Sequence, residues 1–127
     1  MYTSSQEDFE SLVNEAIASL PKRYVDHLDN IAIIVEDEPS EEQRQALKLK
    51  GYQTLFGLYE GVPLNQRMGR LKLLPDKITI FKLPLEQASN SLQELRSRVS
   101  RTVWHEVAHY YGLNHTLIYD LESKEEK

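Results

Sequence analysis

Cysteine is absent from this 127-residue chain, which removes disulfide frameworks, thiol nucleophiles, Cys-rich zinc modules and cysteine-ligated iron–sulfur clusters together. Any metal would have to be held by His, Asp or Glu. Basic charge is also scarce. Fifteen Lys and Arg stand against 20 Asp and Glu, a formal net charge of -5, which argues against a general binder of phosphate backbones while leaving room for a local basic patch. No apolar run approaches the ~18 residues needed to span a bilayer, and the opening MYTSSQEDFE has neither the basic nor the apolar region of a signal peptide. No repeat, linker or low-complexity tract divides the chain. The expectation is one soluble, cytoplasmic domain over residues 1–127, with a frayed tail at 122–127.

What is present is a clear alternation of helical and strand patterns. Ser4 or Ser5 caps a helix in which Phe9, Leu12, Val13, Ala16, Ile17 and Leu20 recur at three- and four-residue steps until Pro21. A short helical piece at 22–28 leads into the β-branched run 31–35, the best strand in the chain. The acidic stretch 36–42 reads as a solvated turn that caps a polar helix over 41–50, stopped by Gly51. Strands follow at 55–60 and 78–83, the second ended by Pro84, with a helical turn at 85–88. A long helix spans 91–111. Leu92, Leu95, Val99, Val103 and Tyr110 share one line of it, and Trp104, Val107, Ala108 and Tyr111 widen its apolar surface toward the C-terminal end, as in a helix buried on several sides. A last short turn or helix is expected at 116–121.

Only four histidines occur, and three of them fall within eleven residues: His105-Glu106-Val107-Ala108-His109-Tyr110-Tyr111-Gly112-Leu113-Asn114-His115. This is an intact HExxHxxGxxH. His105 and His109 stand one helical turn apart, about 6 Å along the axis, so both imidazoles can converge on one ion. Gly112 permits a sharp backbone turn, and His115 can swing back as a third ligand, leaving one tetrahedral position open. Glu106, turned about 100° from His105, suits a general base at that open position. Zinc is the first choice for three neutral imidazoles, with other divalent metals open. At this chain's composition a bare HExxH arises by chance with a probability of about 0.01, but the full form falls to roughly one in a hundred thousand. A single buried His is more often ordinary core; three at these offsets are not. The His face also lies about 105° from the apolar stripe, so ligation and packing do not compete.

Together with 31–35, Gly57-Leu58-Tyr59-Glu60-Gly61-Val62-Pro63, Leu74-Pro75-Asp76-Lys77-Ile78 and Pro84-Leu85-Glu86, this motif makes the sequence resemble the small bacterial zincin-like family, a minimal version of the matrix metalloprotease or metzincin core. The resemblance implies an α+β fold, a small three- to four-stranded mixed sheet packed against helices, with the site on the long HExxH helix. It implies a zinc metallopeptidase acting on a peptide or protein substrate. Two departures stand out. No methionine follows His115 to form the floor of a metzincin site, and the small family often carries Asp where this chain has His115.

Weaker candidates surround the motif. Asp120 or Tyr119 could orient a ligand imidazole; Tyr110, Tyr111 or Tyr119 could donate to an oxyanion, although packing is the plainer role of such aromatics. Trp104 reads as core and His27 as a surface or capping residue. Arg96, Arg98 and Arg101 read as a solvated face. Two other functions compete with a peptidase. One is a non-catalytic metal-binding or interaction module. The other is a metal-dependent endoribonuclease with the same His spacing, which the Glu at position 106 and the acidic balance both disfavour.

Overall fold

The computed structural model describes residues 1–26, 28, 31–51, 54–61 and 76–112. Its first element is α1 (Gln6–Ala18), capped by Ser5, whose side chain accepts from the Asp8 backbone N–H at 3.0 Å. Phe9, Leu12, Val13 and Ala16 form its buried stripe. Next, α2 (Lys22–Val25) is a single turn after Pro21, shorter than the 22–28 expected. The β-branched run becomes β1 (Ile31–Glu36).

Helix α3 (Glu41–Ala46) starts on a full capping box: Ser40 Oγ accepts from the Gln43 N–H, and the Gln43 side chain accepts in return from the Ser40 N–H. It ends before Gly51. Lys48 takes the left-handed conformation at φ 55°, the Lys48 N–H returns to the Gln45 carbonyl, and the Leu49 N–H returns to that of Arg44. That is a Schellman closure on a non-glycine residue, so the expected stop at Gly51 arrives three residues early.

β2 (Gly57–Glu60) and β3 (Asp76–Phe81) complete a three-stranded sheet in the order β1-β3-β2. β1 runs parallel to β3, with Ile33 opposite Ile78, and β2 runs antiparallel to it, with Tyr59 opposite Ile78. The sheet is mixed, and β3 is its buried centre. β3 ends two residues before the expected 83, because α4 (Lys82–Ala88) begins at once and takes Pro84 into its first turn. There the missing N–H leaves no helical bond unmade.

α5 (Leu92–Tyr110) starts on Ser91, whose hydroxyl accepts from the Glu94 N–H. It packs against α1, α4, β2 and β3. Its stripe of Leu95, Val99, Val103 and Val107 meets Phe9, Leu12, Val13 and Ala16 of α1, Ile78 and Ile80 of β3, and Leu85 of α4 in one core. Each fully buried side chain of this size contributes about 1.5–3 kcal/mol over its exposed state. Leu92, expected on that stripe, is 41% exposed, since the first turn of α5 overhangs the core. The architecture is α+β, and no helix among the described residues is long and apolar enough to cross a membrane.

One buried carboxylate ties the periphery together. Glu86 of α4 is wholly buried, accepts from Ser4 N and Ser4 Oγ at 2.6 Å each, and lies 3.2 Å from the Lys82 ammonium. Burial pushes its carboxyl up, but these partners outweigh it and hold the pKa below the ordinary 4.5.

Candidate metal centre

The last two turns of α5 carry the site. His105 and His109, four residues apart, bring their rings to a centroid separation of 4.8 Å at an interplanar angle of 74°. Both are half-buried, while the neighbouring Glu106 is 7% exposed. One ligand-capable atom from each of the three lies within 4.8 Å of the others. The two imidazoles suit a single divalent ion of zinc type, which favours neutral nitrogen donors, and the carboxylate stands close enough to serve as a base beside it. The helix ends where it was expected to. Tyr111 is the C-cap, Gly112 is left-handed at φ 80°, and its N–H bonds to the His109 carbonyl at 2.9 Å. His115, Tyr119 and Asp120 lie outside the described residues, as do His27 and the 116–121 segment.

Glu106 points from α5 beneath β2. The backbone N–H of Tyr59 donates to its carboxylate, but burial dominates and pushes its pKa from the ordinary 4.5 up to about 7. The close approach depends on Gly57. A Cβ there would stand 2.7 Å from Thr102 Cγ2 and 3.1 Å from Glu106 Cγ. Tyr59 is fixed in turn, its hydroxyl donating to Asp76 Oδ2 at 2.8 Å and its ring meeting Tyr110 edge-on at 6.2 Å. Gly57 and Tyr59 therefore shape the site, although their sequence marks only a strand. The signal was the glycine opening an otherwise apolar strand, which often means a close approach by another element.

The aromatics of the motif pack. Tyr110 is wholly buried, and the Tyr111 hydroxyl donates to the Tyr24 carbonyl. Burial, then the neighbouring Tyr110, Tyr24 and Asp26, push the Tyr111 phenol up to about 12. Trp104 is core and meets Tyr24 edge-on at 5.0 Å. The Tyr111 hydroxyl, committed to a backbone carbonyl, is not available to an oxyanion.

With this geometry in place, the family comparison is decisive: the model of a zincin-like metallopeptidase family matches residues 28–125. The chain belongs to that family. In this zincin-like protein the matched region holds β1, β2, β3 and the whole of α5. No curated protein matches the chain. Among solved structures, a conserved hypothetical protein from Thermo thermophilus superposes with a TM-score of 0.59 at 19% identity, covering 85% of this chain and 94% of that one. That likeness is one of fold.

Proposed function

We propose that this chain is a zinc-dependent peptidase of the cytoplasm, hydrolysing peptide or amide bonds in a peptide or protein substrate. The observation that carries the reading is a buried carboxyl set against two half-exposed imidazoles, with ligand-capable atoms within 4.8 Å of one another. His105 and His109 would hold the ion, with His115 as third ligand and Asp120 or Tyr119 orienting an imidazole. When bound, zinc supplies polarisation of a scissile carbonyl and acidification of water.

The chain's own residues do the rest. Glu106, with a proton affinity near neutrality, accepts a proton from the attacking water and returns it to the departing amine. The Tyr59 N–H and the floor at Gly57 keep its carboxylate from swinging away. Burial keeps bulk water from competing for that proton.

The test is metal analysis of the purified protein followed by a peptide-library assay. Glu106→Gln is expected to retain the metal and lose turnover by about 10²–10⁴-fold. Loss of metal from that variant, or unchanged turnover, would count against the base assignment.

A further inference from the structure

The exposed line of α5 continues beyond the histidines. At 100° per residue, Arg98 stands two turns before His105 with an offset of only about 20°, and Arg101 one turn before it with an offset of about 40°. Those steps are roughly 10 Å and 6 Å along the axis. Accessibility agrees: Arg101 is exposed and Arg98 half-buried, like His105 and His109, whereas Leu95, Val99, Val103 and Val107 are wholly buried. Arg98 and Arg101 line a concavity of ≈ 410 Å³ in which Glu94 is the one lining carboxylate among the described residues. A second concavity of ≈ 400 Å³, between α1 and α5, shares Arg101 and Ser97 with it, and there Glu15 pairs with Arg96 at 3.2 Å.

Arg98 is the informative member. Its Nε is enclosed by the protein and has no hydrogen-bond partner among the described residues. Arg98 lines the concavity half-buried and has no carboxylate partner among the described residues, and a ligand carboxylate would match its guanidinium in charge and in fork geometry. Resting on the peptidase reading, we propose that this arginine track selects acidic peptides. Arg98 pairs with an Asp or Glu side chain about three residues from the scissile bond, at ~3.3 Å per extended residue, and Arg101 supports it. A polynucleotide fits less well, because a net charge of -5 repels a long polyanion, while a single carboxylate contact is short-ranged and escapes most of that field.

The test uses the zinc-loaded Glu106→Gln protein and fluorescein-labelled ten-residue peptides that differ only in carrying two Glu, two Gln or two Lys, read by anisotropy. The Glu peptide should bind about tenfold more tightly than the Gln peptide. That advantage should vanish in Arg98→Ala, partly persist in Arg98→Lys and fall in Arg101→Ala, an exposed site whose variant folds independently of Arg98 packing. In the wild-type protein, acidic peptides should lower KM with kcat unchanged. Equal binding of Glu and Gln peptides overturns the proposal, as does tighter binding of an oligouridylate that is lost in Arg98→Ala. Hydrolysis without acidic preference overturns the track and leaves the peptidase reading. Selective binding without hydrolysis overturns the peptidase reading and leaves the acidic-peptide surface.

Discussion

Glu106 and Glu86 are both buried carboxylates, yet their surroundings send them in opposite directions. At Glu106, burial lifts the pKa to about 7. The folded state then keeps a proton that the unfolded chain has released, so in the metal-free protein stability falls as pH rises from about 4.5 to 7. The loss approaches about 3 kcal/mol. Urea unfolding with chelator at pH 5 and pH 7.5 should show it in the wild type, and Glu106→Gln should remove that share of the difference. At Glu86 the folded pKa is depressed, so its contribution is present above the ordinary carboxylate range and is lost as pH falls through the folded value. Glu86→Ala strands the Lys82 ammonium, which is 8% exposed, and should cost about 3–5 kcal/mol in the same assay. At this scale the motif was readable because helical spacing alone brings His105 and His109 together. Glu86 was not, since its partner Ser4 lies 82 residues away and no local pattern announces a contact of that range.

Between elements, the narrowest tolerance is the passage of β2 over α5 at Gly57. Gly57→Ala should cost about 1–3 kcal/mol by forcing Thr102 and Glu106 aside. Adding Thr102→Ser removes the Cγ2 in the way while keeping the hydroxyl that donates to the Arg98 carbonyl. The double variant should recover most of the stability but little of the turnover, because the Glu106 Cγ contact remains; chemical denaturation and peptide hydrolysis measured side by side separate the two. The same contrast explains which elements the sequence announces. α1 and α5 follow from their apolar spacing and Ser caps, and β1 from its β-branched run. The end of α3 does not, because closure by a left-handed Lys48 overrides the glycine rule, and the β3–α4 junction does not, because Pro84 is as well suited to a helix start as to a strand end.

For the molecule as a whole, a metal that binds only the folded state adds stability in proportion to its occupancy. Zinc at about a hundred times its dissociation constant should add roughly 2.7 kcal/mol, or about 10 °C in Tm for a chain of this size. The gain should shrink at pH 5.5, where the imidazoles protonate and cease to coordinate. Thermal scans with zinc and with chelator at the two pH values check this; an equal gain at both would speak against histidine ligation. α5 is at once the spine of the core, through Leu95, Val99, Val103 and Val107, and the carrier of His105, Glu106 and His109. Few proteins can afford to loosen such a helix. The amide protons of its last three turns should therefore exchange with deuterium only when the entire chain unfolds. Their exchange free energy should equal the global one, and every mutation that weakens the core should speed exchange at the histidines by the same factor, however far away it lies.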